Sequence, residues 1–105
     1  MTTLIEALDN MIARFNPAKA KGVNAVIQLN ATGEGGGQFF TTVTDGKAAV
    51  TPGAAPNPTV TITVAAKDWV DIMDGTLDHT RAFMAGKLRI AGDLGLMMRF
   101  QTMFA

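Results

Sequence analysis

Residues 59–64 read TVTITV, with valine and isoleucine at alternate positions and threonine between them. A side-chain period of two places all three apolar residues on one face of an extended strand, so this segment must lie along a core with its threonines turned away. The same period runs earlier in the chain. Ala25, Ile27, Leu29 and Ala31 alternate with Asn24, Gln28, Asn30 and Thr32, which predicts a half-exposed strand. The glycine-rich residues 33–37 then form a hairpin loop into a second strand over 38–44, and Asp45-Gly46 is a two-residue turn into a third over 47–51. These three strands make an antiparallel meander, and PGAAPNP over 52–58 ends the third before TVTITV begins.

On both sides of this block the period becomes helical. Thr3 and Glu6 have the spacing of a capping box, and Leu4, Leu8, Met11 and Phe15, joined by Ile5 and Ile12, recur as one stripe until Asn16-Pro17 stops the helix. At ~100° per residue the stripe spans about 120°, the width of a helix lying on a core with its other face in water. After Val64, the apolar Trp69, Val70, Ile72 and Met73 oppose Lys67, Asp68, Asp71 and Asp74 up to Gly75. A shorter helix starts from Asp78 as cap and runs through Phe83 and Met84 to Gly86. Residues 87–91, KLRIA, alternate again as a fifth strand whose outward Lys87 and Arg89 suit an edge, and Asp93 caps a last helix from Leu94. The predicted order is helix, four strands, two short helices, strand, helix: an α+β chain.

Several function classes are excluded early. The chain has 105 residues, enough for one domain spanning 1–105, and nine basic against nine acidic residues leave no cationic surplus for a phosphate backbone, so no nucleic acid is expected as partner. Without cysteine there is neither a disulfide framework nor a thiolate nucleophile. Asp68, Asp71, Asp74 and Asp78 read as a solvated acidic face, because Asp74-Gly75 lacks the alternating ligands of a calcium loop; no metal is expected. The glycines at 33–37 lack the Gly-Lys-Ser/Thr ending of a phosphate loop and join two strands, so they form a turn. His79 is the only histidine and has no cysteine or second histidine to activate, which leaves no paired acid and base for catalysis; no cofactor and no enzymatic activity are expected. The opening MTTLIEALDNM has no basic region followed by an apolar core, which points to a cytoplasmic protein.

The last helix is more apolar than a surface helix needs to be. Leu94, Leu96, Met97, Met98, Phe100, Met103 and Phe104 cover an arc of roughly 220° at ~100° per residue, leaving Gly95, Arg99 and Thr102 on a narrow polar side. Gln101 falls inside the apolar arc, where a buried amide requires a hydrogen-bond partner. One sheet face covers about half such an arc. The remainder is either a methionine-filled plug of the core or a surface for a partner chain, a membrane or an apolar ligand. Seven methionines favour adaptability, since unbranched, polarizable side chains re-pack around ligands of varied shape.

Residues 86–101, GKLRIAGDLGLMMRFQ, resemble the closing signature of the sterol carrier protein 2 domain family, a GKL-x-I-x-G strand running into a GLAMKLQ-like helix. Residues 68–77 with Ala82-Phe83 are similar to that family's D-[FW]-x-x-[IL]-x-x-G-x-L segment. The resemblance implies a five-stranded, mainly antiparallel sheet with helices packed on one face and an apolar tunnel between them, closed by the last helix. It also implies a lipid ligand with a long apolar chain: fatty acid, fatty acyl-CoA, sterol or phospholipid. Carried over by motif, Trp69, Ile72, Met73, Phe83, Leu94, Met97, Met98, Phe100 and Gln101 line that tunnel. The chain ends in Met103-Phe104-Ala105 without an SKL-type peroxisomal address.

The expected function is non-catalytic binding and intracellular carriage of lipids, with transient membrane contact. The alternative is an accessory module, for example for a lipid or quinone biosynthetic enzyme, that offers the same apolar surface to a partner enzyme or to a second copy in a homodimer.

Overall fold

The computed structural model describes residues 3–104, except that the side chain of Gln101 lies outside the described residues. Its elements are α1 (Leu4–Ala13), a 3₁₀ turn (Pro17–Ala20), β1 (Ala25–Thr32), β2 (Gly37–Thr44), β3 (Lys47–Pro52), β4 (Val60–Ala65), α2 (Ala66–Met73), α3 (His79–Met84), β5 (Leu88–Gly92) and α4 (Leu94–Met103). This is the predicted order with one addition, the 3₁₀ turn. Pro17 does stop α1, and it then opens the new turn at a position where a missing N–H costs nothing, with the Asn16 side chain accepting from Ala18 N.

The capping box forms as its spacing predicts. Thr3 Oγ1 accepts from Glu6 N at 3.2 Å while Glu6 Oε1 accepts from Thr3 N at 3.2 Å. Hydrogen bonds from the Thr3 hydroxyl and backbone hold the Glu6 carboxyl below its ordinary pKa. Leu4, Ala7, Leu8 and Met11 are the buried residues of α1, whereas Ile5 is 60% exposed. The predicted stripe is therefore displaced towards Ala7, because the packed face of α1 meets both α2 and β3.

The five strands form one sheet in the order β3-β2-β1-β4-β5. The first three are the expected antiparallel meander, and β5 pairs antiparallel with β4 at the far edge. The pair β1 with β4 is parallel. Register puts Ile27 opposite Val60 and Leu29 opposite Ile62, and on the other side of β4 it puts Ile62 opposite Ile90 and Val64 opposite Leu88. All of these side chains share one face by the period-two rule, and that face carries the core.

A parallel partner requires the chain to cross the sheet after β3. Gln28, on the opposite face of β1, holds that crossing: its Oε1 accepts from Ala55 N at 2.7 Å, and its Nε2 donates to Gly53 O at 3.3 Å and Asn30 Oδ1 at 3.1 Å. Gln28 was expected to face water, yet it is buried. Its amide is left with protein partners on both ends, which is the condition under which burial of a polar group is tolerated.

At the end of β5, Gly92 has φ +111°, and a Cβ there would sit 2.5 Å from Thr59 O. Only glycine fits this close approach without displacing backbone. The carbonyl of Thr59 also accepts from Asp93 N at 3.2 Å, and Asp93 Oδ1 accepts from Leu96 N at 3.0 Å. The motif's glycine and aspartate thus fix where α4 leaves the sheet and how it starts.

Candidate functional site

The helical layer is organised by a string of aromatic rings. Phe15 packs on Phe104 with ring centroids 5.2 Å apart, Phe104 on Phe100 at 4.8 Å, and Phe100 on Trp69 at 6.3 Å. These separations lie within the range of about 4.5–7 Å over which aromatic pairs attract. The string joins the end of α1 to both α4 and α2. It is reinforced by Asn16 N donating to Met103 O at 2.7 Å and by Arg14 Nη1 donating to Met73 O at 2.9 Å. On this side α4 is core, with Leu96, Met97, Phe100, Met103 and Phe104 all buried.

The other flank of α4 is not covered. Leu94 is 56% exposed and Met98 73%, and Phe83 and Met84 of α3 are also exposed. α3 has only six residues, capped by Asp78 Oδ2 accepting from Arg81 N at 3.0 Å. It packs against β5. Too short to cover the full width of α4, it leaves a gap between the two helices.

Two cavities follow from this arrangement. The first, about 260 Å³, is lined by Trp69, Ile72 and Met73 of α2, by Met97 and Phe100 of α4, and by Arg14, His79, Leu88 and Phe104. The second, about 440 Å³, is lined by His79, Thr80 and Phe83 of α3, Leu88 and Ile90 of β5, and Leu94, Met97 and Met98 of α4. His79, Leu88 and Met97 belong to both walls. Their lining is predominantly apolar, and the larger volume lies within the roughly 300–1,000 Å³ typical of small-molecule sites.

Of the nine residues singled out from the sequence, Trp69, Ile72, Met73, Met97 and Phe100 meet at the first cavity, and Phe83, Leu94, Met97 and Met98 at the second. Gln101 belongs to α4, but its side chain is outside the described residues. The sequence reading missed Leu88, Ile90 and Phe104 as cavity walls, although their apolar alternation and helical spacing were visible. Arg14 also stands at the first cavity, with its guanidinium on the end of α2. His79 was weighed only as a catalyst. Its Nε2 lies 3.1 Å from Thr80 Oγ1, and the residue lines both cavities.

Among the described residues, no group of three or more His, Asp or Glu side chains converges to hold a metal ion. Asp74 instead closes a local turn, its Oδ1 accepting from Thr76 N at 3.0 Å, and hydrogen bonding from Thr76 keeps its carboxyl below the ordinary pKa. Among the described residues no helix is long and apolar enough to cross a membrane.

Known proteins are similar to this chain in sequence and in fold. Sterol carrier protein 2 of Rattus norvegicus is 34% identical over 86 residues, covering 79% of this chain and 16% of its own length. Hydroxysteroid dehydrogenase-like protein 2 of Danio rerio is 31% identical over 92 residues, covering 87% of this chain and 22% of its own length. The chain thus spans less than a quarter of these relatives. The solution structure of palmitated SCP2L2 from Aedes aegypti superposes with a TM-score of 0.80 at 27% identity, over 99% of this chain and 96% of that one. The profile of the SCP-2 sterol transfer family matches residues 8–105, which include every element that lines the two cavities, and the chain belongs to that family of lipid-binding domains.

Proposed function

We propose that this chain is a non-catalytic lipid carrier that takes a long apolar chain into the two cavities beneath α4. The observation that carries this reading is their shared wall: His79, Leu88 and Met97 border both spaces, so a modest movement of side chains joins them into one tunnel. Trp69, Ile72, Met73 and Phe100 then line one end, while Phe83, Leu94 and Met98 line the other. Palmitate is the natural first probe, given the palmitated mosquito structure. Burial of an acyl chain of about 16 carbons, at roughly 0.8 kcal/mol per methylene, supplies on the order of 10 kcal/mol before ordering and docking costs. Recognition of this kind selects length and shape more than chemical identity.

Native mass spectrometry of the purified protein, before and after organic extraction and then with added palmitate, tests the reading. One lipid per chain is the expected stoichiometry. A protein that stays empty under excess palmitate, other fatty acids and sterols overturns it.

A second reading is favoured by the exposed Phe83, Met84, Leu94 and Met98, which form an apolar surface on α3 and α4. In it the chain is an accessory module and the surface docks on a partner protein or a second copy. Light scattering distinguishes the homodimer: a dimer that dissociates on Met98→Glu supports it, and a monomer at all concentrations removes it.

A further inference from the structure

Of the large apolar side chains left exposed among the described residues, all but Ile5 belong to the two helices at the second cavity: Phe83 and Met84 of α3, Leu94 and Met98 of α4. Phe83, Leu94 and Met98 also line that cavity, so the needs of a cargo account for them. Met84 has no such account. It is 81% exposed and lines neither cavity, yet it extends the apolar patch beyond the cavity walls, and contiguous patches of this kind mark a docking face.

Charge is distributed unevenly around the patch. From residue 78 to the end of the chain the charged residues are Arg81, Lys87, Arg89 and Arg99 against Asp78 and Asp93, a formal +2 in a chain whose total is zero. Both carboxylates are turned to helix starts, Asp78 accepting from Arg81 N and Asp93 from Leu96 N. α3, β5 and α4 together line the second cavity, so this cationic part of the chain surrounds it. Arg81, Lys87 and Arg99 are exposed. Arg89 alternates with Leu88 and Ile90 and lies on the opposite face of β5. Ile5 stands in the contrary setting, on α1, whose own charged residues are Glu6 and Asp9.

We propose that this face of α3 and α4 docks on a lipid bilayer that carries anionic lipid: Phe83, Met84, Leu94 and Met98 enter the headgroup region, and Arg81, Lys87 and Arg99 meet its phosphates. The proposal rests on the carrier reading and names the partner of the same site. Because Phe83, Leu94 and Met98 are also cavity walls, docking sets the mouth of the second cavity against the bilayer, and a tail passes between two apolar media without crossing water. Charge selects the occupant. A second copy docked through the same patch brings Arg81, Lys87 and Arg99 against their own counterparts, since a two-fold interface pairs a surface with itself. An anionic bilayer matches both the apolar and the cationic part.

Flotation with vesicles tests this, using phosphatidylcholine alone and an equal mixture with phosphatidylglycerol. The mixed vesicles are expected to bind the protein about tenfold more tightly, the difference fading as salt rises. Met84→Glu should weaken that binding about tenfold and Arg99→Gln about fivefold, while Ile5→Glu changes it less than about twofold. Since Met84 lines neither cavity, Met84→Glu should take up palmitate from cyclodextrin as the parent does, but acquire it more slowly from mixed vesicles. Equal binding to both vesicles, or a loss on Ile5→Glu in place of Met84→Glu, overturns the docking face. If the parent ignores both vesicles yet takes up palmitate from cyclodextrin, docking is overturned and the carrier reading stands. If mixed vesicles are bound as expected but no palmitate enters from either source, the docking face stands and the carrier reading falls. A dimer broken by Met84→Glu, with no vesicle binding, assigns the face to a second copy and overturns the proposal.

Discussion

α4 has two apolar flanks, and the molecule uses them differently. On one, Phe100 and Phe104 extend an aromatic string from Trp69 to Phe15, and Met103 is fully buried. On the other, Leu94 and Met98 stand largely in solvent over the larger cavity, opposite the exposed Phe83. Both flanks read alike in the sequence, as one arc of Leu, Met and Phe. What separates them is the partner: the first flank meets Trp69 of α2 and Phe15 just beyond α1, the second meets a six-residue helix too short to cover it. A wide apolar arc is therefore two surfaces joined along Met97, one packed into the core and the other left uncovered beside the larger cavity.

The largest effect that would sharpen this contrast comes from the covered flank. Phe100→Ala removes the central ring of the string, and equilibrium denaturation should show a loss of about 3–5 kcal/mol, the usual range for a buried aromatic truncated to a methyl. A loss below ~1 kcal/mol would mean that the covered flank is as loosely held as the exposed one. Next is the point where α4 leaves the sheet. Gly92→Ala combines a φ of +111° with a Cβ 2.5 Å from Thr59 O, and should cost about 1–3 kcal/mol by the same measurement. Because Asp93 bonds to the same carbonyl, amide exchange in the first turn of α4 should accelerate in this variant, loosening both flanks together.

A smaller effect tests the helix that anchors the covered flank from below. Thr3→Ala removes the cap of α1 and should cost about 1 kcal/mol. The folded pKa of Glu6 is lowered, so its contribution is present above the unfolded value and disappears as pH falls through the folded one. Fraying of the first turn of α1 on acidification, followed by amide exchange, should thus be seen in the unmodified protein and be absent from the difference once Thr3 is replaced. Equal pH dependence in both proteins would show that the capping box does not couple to Glu6 ionisation.

Much of the fold was legible because it depends on local chemistry. TVTITV became β4, Asp45-Gly46 the turn before β3, and Asp78 and Asp93 the caps of α3 and α4, each by a rule that acts within a few residues. Pairing between distant segments was not legible. Nothing in the alternation of β1 or β4 specifies that they run parallel, and the bonds of the buried Gln28 to Gly53 and Ala55 come from the segment that makes that crossing. The candidate site divides the same way. Trp69 and Phe100 were readable as apolar positions on two helices, but their contact and the place of Arg14 and His79 at the cavities depend on how those helices meet. Ile5 shows the converse error, an apolar residue in phase with a stripe yet left in water because the neighbouring elements meet α1 on its other side.

The smallest stability effect is the one that most directly divides the two flanks. Met98 is 73% exposed, so Met98→Ala should change stability by no more than ~0.5 kcal/mol, as surface substitutions usually do. If Met98 stays as exposed in the complex, palmitate affinity will not change either, and the chain of the lipid does not reach the second cavity. If instead the tail passes Met97 and Leu88, Met98 closes over it and loses its own solvent exposure on binding, and the alanine variant should then bind palmitate about three- to tenfold more weakly while unfolding at the same denaturant concentration. Shortening the ligand separates the two cases further. A chain too short to reach the second cavity should bind the two proteins equally, and the difference should emerge only as methylenes are added, which also measures how far along the tunnel Met98 stands.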